Sequence, residues 1–342
     1  MNAPAPEPVL IDGLQYCNWS REIFLEMRAG GVTAVHATVS YHEGIRETIR
    51  NLVDWNWRFR DHADLILPGR NGGDVEAARM SGRTAIFLGL QNPMPIEDDL
   101  GLVEILHQLG IRFAQLTYNN QSLLGCGWME TNDTGITRMG RAVIAEMNRL
   151  GMVVDMSHSG ERTALDAIET STRPIAISHA NPRWLRDTAR NISKAVMRAL
   201  KDSGGILGLS LYPHHLPRSS ETSLCEFGEM AAEAAAVIGV EHLGIGSDLC
   251  QGQPPSTLRW MREGRWIRPA APAEAPAFPR QPNWFRTNAD FPGLAEGLAG
   301  VGFRVDEISR MLGGNWHNFF NASFGAASGQ STPAAKQRPG TA

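Results

Sequence analysis

Eight short runs of nearly continuous apolar, often β-branched residues punctuate the chain: Val9–Leu14, Val32–Ser40, Thr84–Gln91, Ile111–Tyr118, Val153–His158, Ile175–His179, Ile206–Tyr212 and Leu243–Asp248. They do not alternate apolar with polar positions, and that pattern suits parallel strands covered on both faces. Amphipathic stretches lie between them. Ile96–Leu109 carries Glu97, Asp98 and Asp99 at its start and stops at Gly110, as the helix dipole and a glycine stop favour. Arg138–Leu150 stops at Gly151, and Ser193–Asp202 opens on a serine N-cap and closes at Gly204-Gly205. Eight strand-then-helix units predict an α/β fold of the (β/α)8 TIM-barrel type. A doubly wound sheet would need a glycine-rich phosphate loop after its first strand, where this chain has Gln15-Tyr16-Cys17-Asn18.

The barrel rhythm predicts one domain over residues 9–327, preceded by a flexible N-terminus at 1–8. Gln251–Pro292 breaks the rhythm with many prolines and with Trp260, Trp266, Trp284 and Phe285. It is too apolar for a linker and reads as an insertion beside the site mouth. The small, polar, proline-containing tail Ser328–Ala342 reads as disordered.

Composition narrows the partners. With 32 basic and 36 acidic residues among 342, the net charge is −4, and no arginine-rich stripe marks a nucleic-acid or anionic-membrane surface. Four cysteines, Cys17, Cys126, Cys225 and Cys250, stand far apart and make no C-x-x-C pair, which argues against a disulfide framework or a thiolate zinc site. No apolar run reaches ~18 residues, and MNAPAPEPV lacks the basic and apolar regions of a signal peptide. The expected location is the cytoplasm, the expected partner a small-molecule substrate, with a homodimer left open.

In a barrel the C-terminal strand ends face the active site. Here those ends offer Gln91, Tyr118, His158, His179 and Asp248. His158 and His179 close VVDMSH and PIAISH, and neighbouring parallel strands would bring the two rings within reach of one metal ion. Asp248, closing LGIGSD, can ligate metal or carry protons. His36 and His42 flank the second strand's end and could reach the mouth, whereas the adjacent pair His214-His215 would point apart on a loop. Trp19, Trp128, Trp260 and Trp284 read either as core residues or as a wall for a quaternary ammonium.

The segments LIDGLQ, LGIRFAQLTYNNQ, GMVVDMSHSG, RPIAISHAN, ARNIS, HLGIGSDLCQG and GGNWHNFF stand in this order from about residue 9 to 325. On these segments the chain resembles the membrane (renal) dipeptidase family, the M19 metallopeptidases, as a divergent bacterial member lacking several metal ligands. The resemblance implies an amidohydrolase-like barrel and a zinc hydrolase of dipeptides or other small amides. It further implies that His158 and His179 bind one metal, that Arg190 holds the substrate carboxylate through its two-pronged guanidinium, and that Asp248 moves the proton. Tyr118 stands at the position of the family's substrate-side histidine.

The chain departs from the family where the first strand usually reads D-G-H-x-D. Asp12-Gly13-Leu14-Gln15-Tyr16 lacks both ligands, and the bridging glutamate is replaced by Gln91. Two divalent ions at ~3.5–4 Å need a bridging anion. The expectation is therefore at most one zinc ion, held by His158, His179 and Asp248 with Gln91 as a weak oxygen donor, or no metal. The expected function is hydrolysis of a C–N bond in a small carboxylate-bearing substrate. The alternatives are a divergent enzyme acting on a betaine-type or methylated-amine metabolite, and a barrel that binds a small molecule without catalysis.

Overall fold

Among the described residues nine strands, all paired in parallel, organise the fold: β1 Ile11–Gln15, β2 Ala34–Ser40, β3 Ile66–Pro68, β4 Thr84–Leu90, β5 Ile111–Gln115, β6 Val153–Asp155, β7 Ala176–Ala180, β8 Ile206–Leu209 and β9 Leu243–Ile245. This is a computed structural model, and it describes residues 8–265 and 277–325. The order β2-β1-β9-β8-β7-β6-β5-β4 closes through a β2–β4 pairing, so eight strands make a barrel. That is the (β/α)8 architecture expected from the alternating pattern. The ninth strand, β3, was not among the apolar runs. It is three residues long and pairs with Thr84–Ile86, below the point where β4 takes up β5.

The strands are buried throughout, apart from exposed Pro68, which explains their continuous apolar character. The lower barrel is filled by Ile11, Phe87, Phe113, Val153 and Ile206. The last helix, Asn315–Ser323, plugs this end: Trp316 is fully buried and its indole donates to the Ile245 carbonyl at 2.8 Å. The helix Arg138–Leu150 begins and ends where the pattern placed it, with Thr137 capping and Gly151 stopping it in the left-handed region at φ 74°. The stretch Ile96–Leu109 is not one helix. A 3-10 turn covers Met94–Ile96, and the helix proper is Gly101–Gln108, with Asp99 Oδ1 accepting from the Gly101 N–H at 2.9 Å. Glu97, at φ 51°, breaks the path, so the acids precede the helix instead of filling its first turn.

Of the expected insertion, Pro255–Glu263 forms a helix over the barrel mouth. Trp260 Nε1 donates to Glu43 Oε1 at 2.8 Å, and His42 Nε2 lies 3.2 Å from the Met261 carbonyl oxygen. Trp266, the N-terminal residues 1–7 and the tail expected to be disordered lie outside the described residues. Among the described residues no helix is long and apolar enough to cross a membrane.

Candidate active site

The C-terminal strand ends open into a cavity of about 530 Å³. His158, Tyr118, Gln91, Arg190 and Asp248 all line it, and His179 stands fully buried behind His158. His158 and Asp248 do not sit in strands. Each follows a strand end by three residues and adopts a positive φ, 66° and 58°. A left-handed backbone costs a non-glycine residue of order 1 kcal/mol and persists where the surroundings over-determine it. Here the Asp248 N–H donates to the Leu14 carbonyl at 3.0 Å, and the His158 carbonyl accepts from Trp128 N–H at 3.0 Å and from Thr117 Oγ1 at 3.3 Å.

The two imidazoles are oriented from behind. Trp128 Nε1, which can only donate, reaches Asn119 Oδ1 at 2.8 Å. Oδ1 is thus an acceptor, so His158 Nδ1, 2.9 Å from it, carries a proton. On the other ring Ser178 Oγ donates to Asp155 Oδ2 at 2.5 Å and accepts from His179 Nδ1 at 2.7 Å. Asp155 is fully buried and also accepts from the backbone N–H groups of Ser157 and Ser178, from Ser157 Oγ and from Gln115 Nε2. Both Nε2 atoms are left with lone pairs, and they face each other at 3.0 Å. Burial holds both rings well below the usual imidazole range, Arg190 adding to the effect, so neither gains a proton easily. Two nitrogens sharing a tetrahedral zinc at ~2.05 Å would stand about 3.3 Å apart, which makes the pair a fitting seat for one cation.

Asp248 Oδ1 lies 4.0 Å from His179 Nε2. Burial raises its carboxyl to about 7, with Arg190 opposing the rise. Its strand end is tied to β1, because Asp12 accepts from the Ser247 N–H at 2.7 Å and from Ser247 Oγ at 2.5 Å. Arg190 belongs to the loop after β7, which is stapled when Asn191 Nδ2 donates to the carbonyls of Arg186 and His215. Its guanidinium is buried, Nη2 donates to the His179 carbonyl at 2.9 Å, and Nε has no partner. Among the described residues Arg190 forms no ion pair, so a buried fork stands ready for an anion.

The remaining candidates fall elsewhere. Gln91 lines the cavity, but its Nε2 donates to Thr38 Oγ1 at 2.8 Å. His36 does not reach the mouth. It is fully buried inside the barrel, stacked on Phe113 at 4.1 Å, with Nδ1 2.8 Å from the Gly13 carbonyl. His214 and His215 both line the cavity, His215 buried with Nδ1 2.8 Å from Ser210 Oγ. Of the four tryptophans only Trp128 lines the cavity. Trp19 stacks on Phe24 and Trp284 packs on Phe227, and neither lines the cavity. Among the described residues no group of three or more His, Cys, Asp or Glu is placed to hold a metal ion.

Asn119 and Asp155 were not among the residues read as functional. Asp155 had left a signal, a single acid inside the apolar run VVDMSH, since a buried carboxylate needs several donors. Asn119 had left none beyond following Tyr118.

A family model described as Membrane dipeptidase (Peptidase family M19) matches residues 24–261. Dipeptidase aclJ of Aspergillus oryzae is 26% identical over 281 residues, which cover 80% of this chain and 60% of that protein. The chain spans 43–60% of the length of the curated relatives it matches. A solved amidohydrolase from Pseudomonas aeruginosa is 33% identical, with a TM-score of 0.88 over 93% of this chain and 97% of that one. A metallo peptidase from Rhodobacter sphaeroides, liganded with a phosphinate mimic of L-Ala-D-Ala, shares the fold at 16% identity, with a TM-score of 0.77 over 93% of this chain and 100% of that one.

Proposed function

Since the chain belongs to the membrane dipeptidase family, peptidase family M19, we propose that it hydrolyses a C–N bond of a small amide that carries a carboxylate, with at most one divalent ion. The observation that carries this reading is the pair of Nε2 lone pairs held 3.0 Å apart beside Asp248 and the unpaired Arg190 fork.

The donor set favours one ion over two. Leu14 has no donor atom, and burial raises the Tyr16 phenol well above its ordinary value, so it stays protonated. Gln91 is a neutral amide already engaged by Thr38. With Asp248 taking the proton, the described residues lining the cavity leave no second buried carboxylate to bridge two cations. His158 and His179 fit a single ion, which when bound would supply Lewis acidity, polarising a carbonyl and acidifying water.

The chain's own groups divide the other tasks. Arg190 receives the substrate carboxylate on its free guanidinium edge and sets the scissile amide toward the histidines. Asp248, raised to about 7 by burial, is half-ionised near neutral pH. It takes the proton of the attacking water and returns it to the departing nitrogen. The helix Pro255–Glu263 brings Leu258 and Met261 over the cavity and limits water.

The test is metal content and hydrolysis measured on one preparation. Protein purified without chelator, then titrated with zinc, should reach one equivalent per chain and cleave carboxylate-bearing amides. Dialysis against a chelator should abolish cleavage, and zinc should restore it. Two tightly held equivalents, or full activity in the metal-free protein, would refute the reading.

A further inference from the structure

We propose that the preferred substrates are N-acylated amino acids, in which the acyl half is uncharged, in preference to dipeptides with a free amino group. This rests on the hydrolase reading and names the substrate class of the same site.

The chain has four tyrosines, and all four gather around Asp248. Tyr16, Tyr118 and Tyr212 line the cavity, and Tyr41 backs them. Tyr16, Tyr41 and Tyr118 form a separate apolar cluster with Cys250 and Met261. The half of the cavity beside the end of β1 is therefore a neutral aromatic wall.

This wall is not an open box for a cation. Such a box offers free ring faces, whereas these rings pack on one another. Tyr16 meets Tyr41 edge-on at 6.2 Å and 88°, Tyr41 meets Tyr118 at 5.5 Å and 62°, and the face of Tyr118 lies on His158 at 4.3 Å.

The charges around the cavity also oppose an ammonium. Arg186, Arg190 and Arg262 line it, and none forms an ion pair among the described residues. Arginines elsewhere on this chain are commonly paired, as in Arg21–Asp64, Arg149–Glu146 and Arg183–Glu161. Among the described residues the acids lining the cavity are Asp248, which the reaction uses, and Asp187, which is exposed. Three guanidiniums repel a cation placed between them. A single carboxylate on Arg190 and an uncharged acyl group against the tyrosines satisfy both halves. A cavity of about 530 Å³ accommodates a molecule of that size.

The chemistry balances with water alone. Water adds to the amide carbonyl and the C–N bond breaks. Asp248 passes one proton of the water to the nitrogen, and the other is released as the new acid ionises, which balances the second proton that the amine takes up. The products are the free acid of the acyl half and the amino acid.

The experiment uses the zinc-loaded full chain and a matched pair, N-propionyl-leucine and alanyl-leucine, with the leucine in each configuration. The two differ only in the ammonium. The propionyl compound should have a kcat/KM at least 10-fold higher between pH 6 and 8. Equal or faster cleavage of alanyl-leucine would overturn this proposal and leave the hydrolase reading standing. Cleavage of neither would overturn both. A second arm places a carboxylate on the wall. Met261→Glu should move the ratio at least 10-fold toward alanyl-leucine, while Met261→Gln should not. An unchanged ratio in a Met261→Glu protein that melts normally would show that the acyl half does not lie against this wall.

Discussion

Trp128 decides the orientation of Asn119. The indole N–H donates to Asn119 Oδ1 at 2.8 Å, and that same oxygen stands 2.9 Å from His158 Nδ1. A residue with a single donor thus sets, through one amide, which nitrogen of His158 carries the proton.

Trp128→Phe keeps the ring and deletes the donor. Asn119 is then free to rotate, and His158 can present its protonated nitrogen to the cavity. Zinc affinity should fall ~10–100-fold, the range for lost outer partners of a metal ligand. Competition with a chromophoric chelator measures it. Unchanged affinity would show that Asn119 is held by other means.

The Asp155–Ser178 relay behaves differently because it is wholly buried. Ser178→Ala removes the acceptor of the His179 Nδ1–H and should cost about 1–2 kcal/mol, with a matching loss of zinc affinity. Asp155→Asn turns two donors toward groups that themselves donate, and should cost about 3 kcal/mol or more. Urea unfolding separates the two. If Asp155→Asn is as stable as the parent, the network does not hold the site together.

Arg190→Lys should raise the KM for carboxylate substrates about 10–100-fold, from loss of the two-pronged geometry, with a smaller effect on kcat. Sequence alone gives no reason to expect destabilisation. The Nη2 bond to the His179 carbonyl adds a stability loss of about 1 kcal/mol. Steady-state kinetics and a thermal melt on the same variant check both. A normal KM would remove the carboxylate anchor.

Asp12 carries a pH dependence of stability. Burial raises its carboxyl to about 6 from an ordinary 3.8, against the lowering bonds from Ser247 and Gln15. The folded state therefore holds this proton more tightly than the unfolded chain. Its stabilising contribution is fully present below about 3.8 and is lost as pH rises through about 6. Asp248 pulls the same way at higher pH, so the comparison is with Asp12→Asn. The stability difference between parent and variant should change by on the order of 2 kcal/mol between pH 4 and 7.5, the parent gaining at low pH. Parallel denaturation curves across that range would contradict the buried ionisation.

The apolar runs and glycine stops by themselves determined the eight barrel strands and the ends of Arg138–Leu150, because burial on both faces and helix termination act over a few residues. His158, His179, Asp248 and Arg190 were legible for the same reason: His179 lies at the end of a recognisable strand, the other three follow one, and parallel pairing puts strand ends on one side. The tertiary structure alone decided what these residues face. Barrel closure through β2–β4 brings Tyr16, Tyr41, Tyr118 and Tyr212 around Asp248 from four separate strand ends. The tautomers of the two histidines depend on Trp128 and Asp155, which reach them through hydrogen bonds. The carboxyls of Asp12 and Asp248 are raised because the closed barrel removes them from water. Hydrogen-bond direction and desolvation depend on which atoms meet in space, and residue spacing along the chain does not encode them.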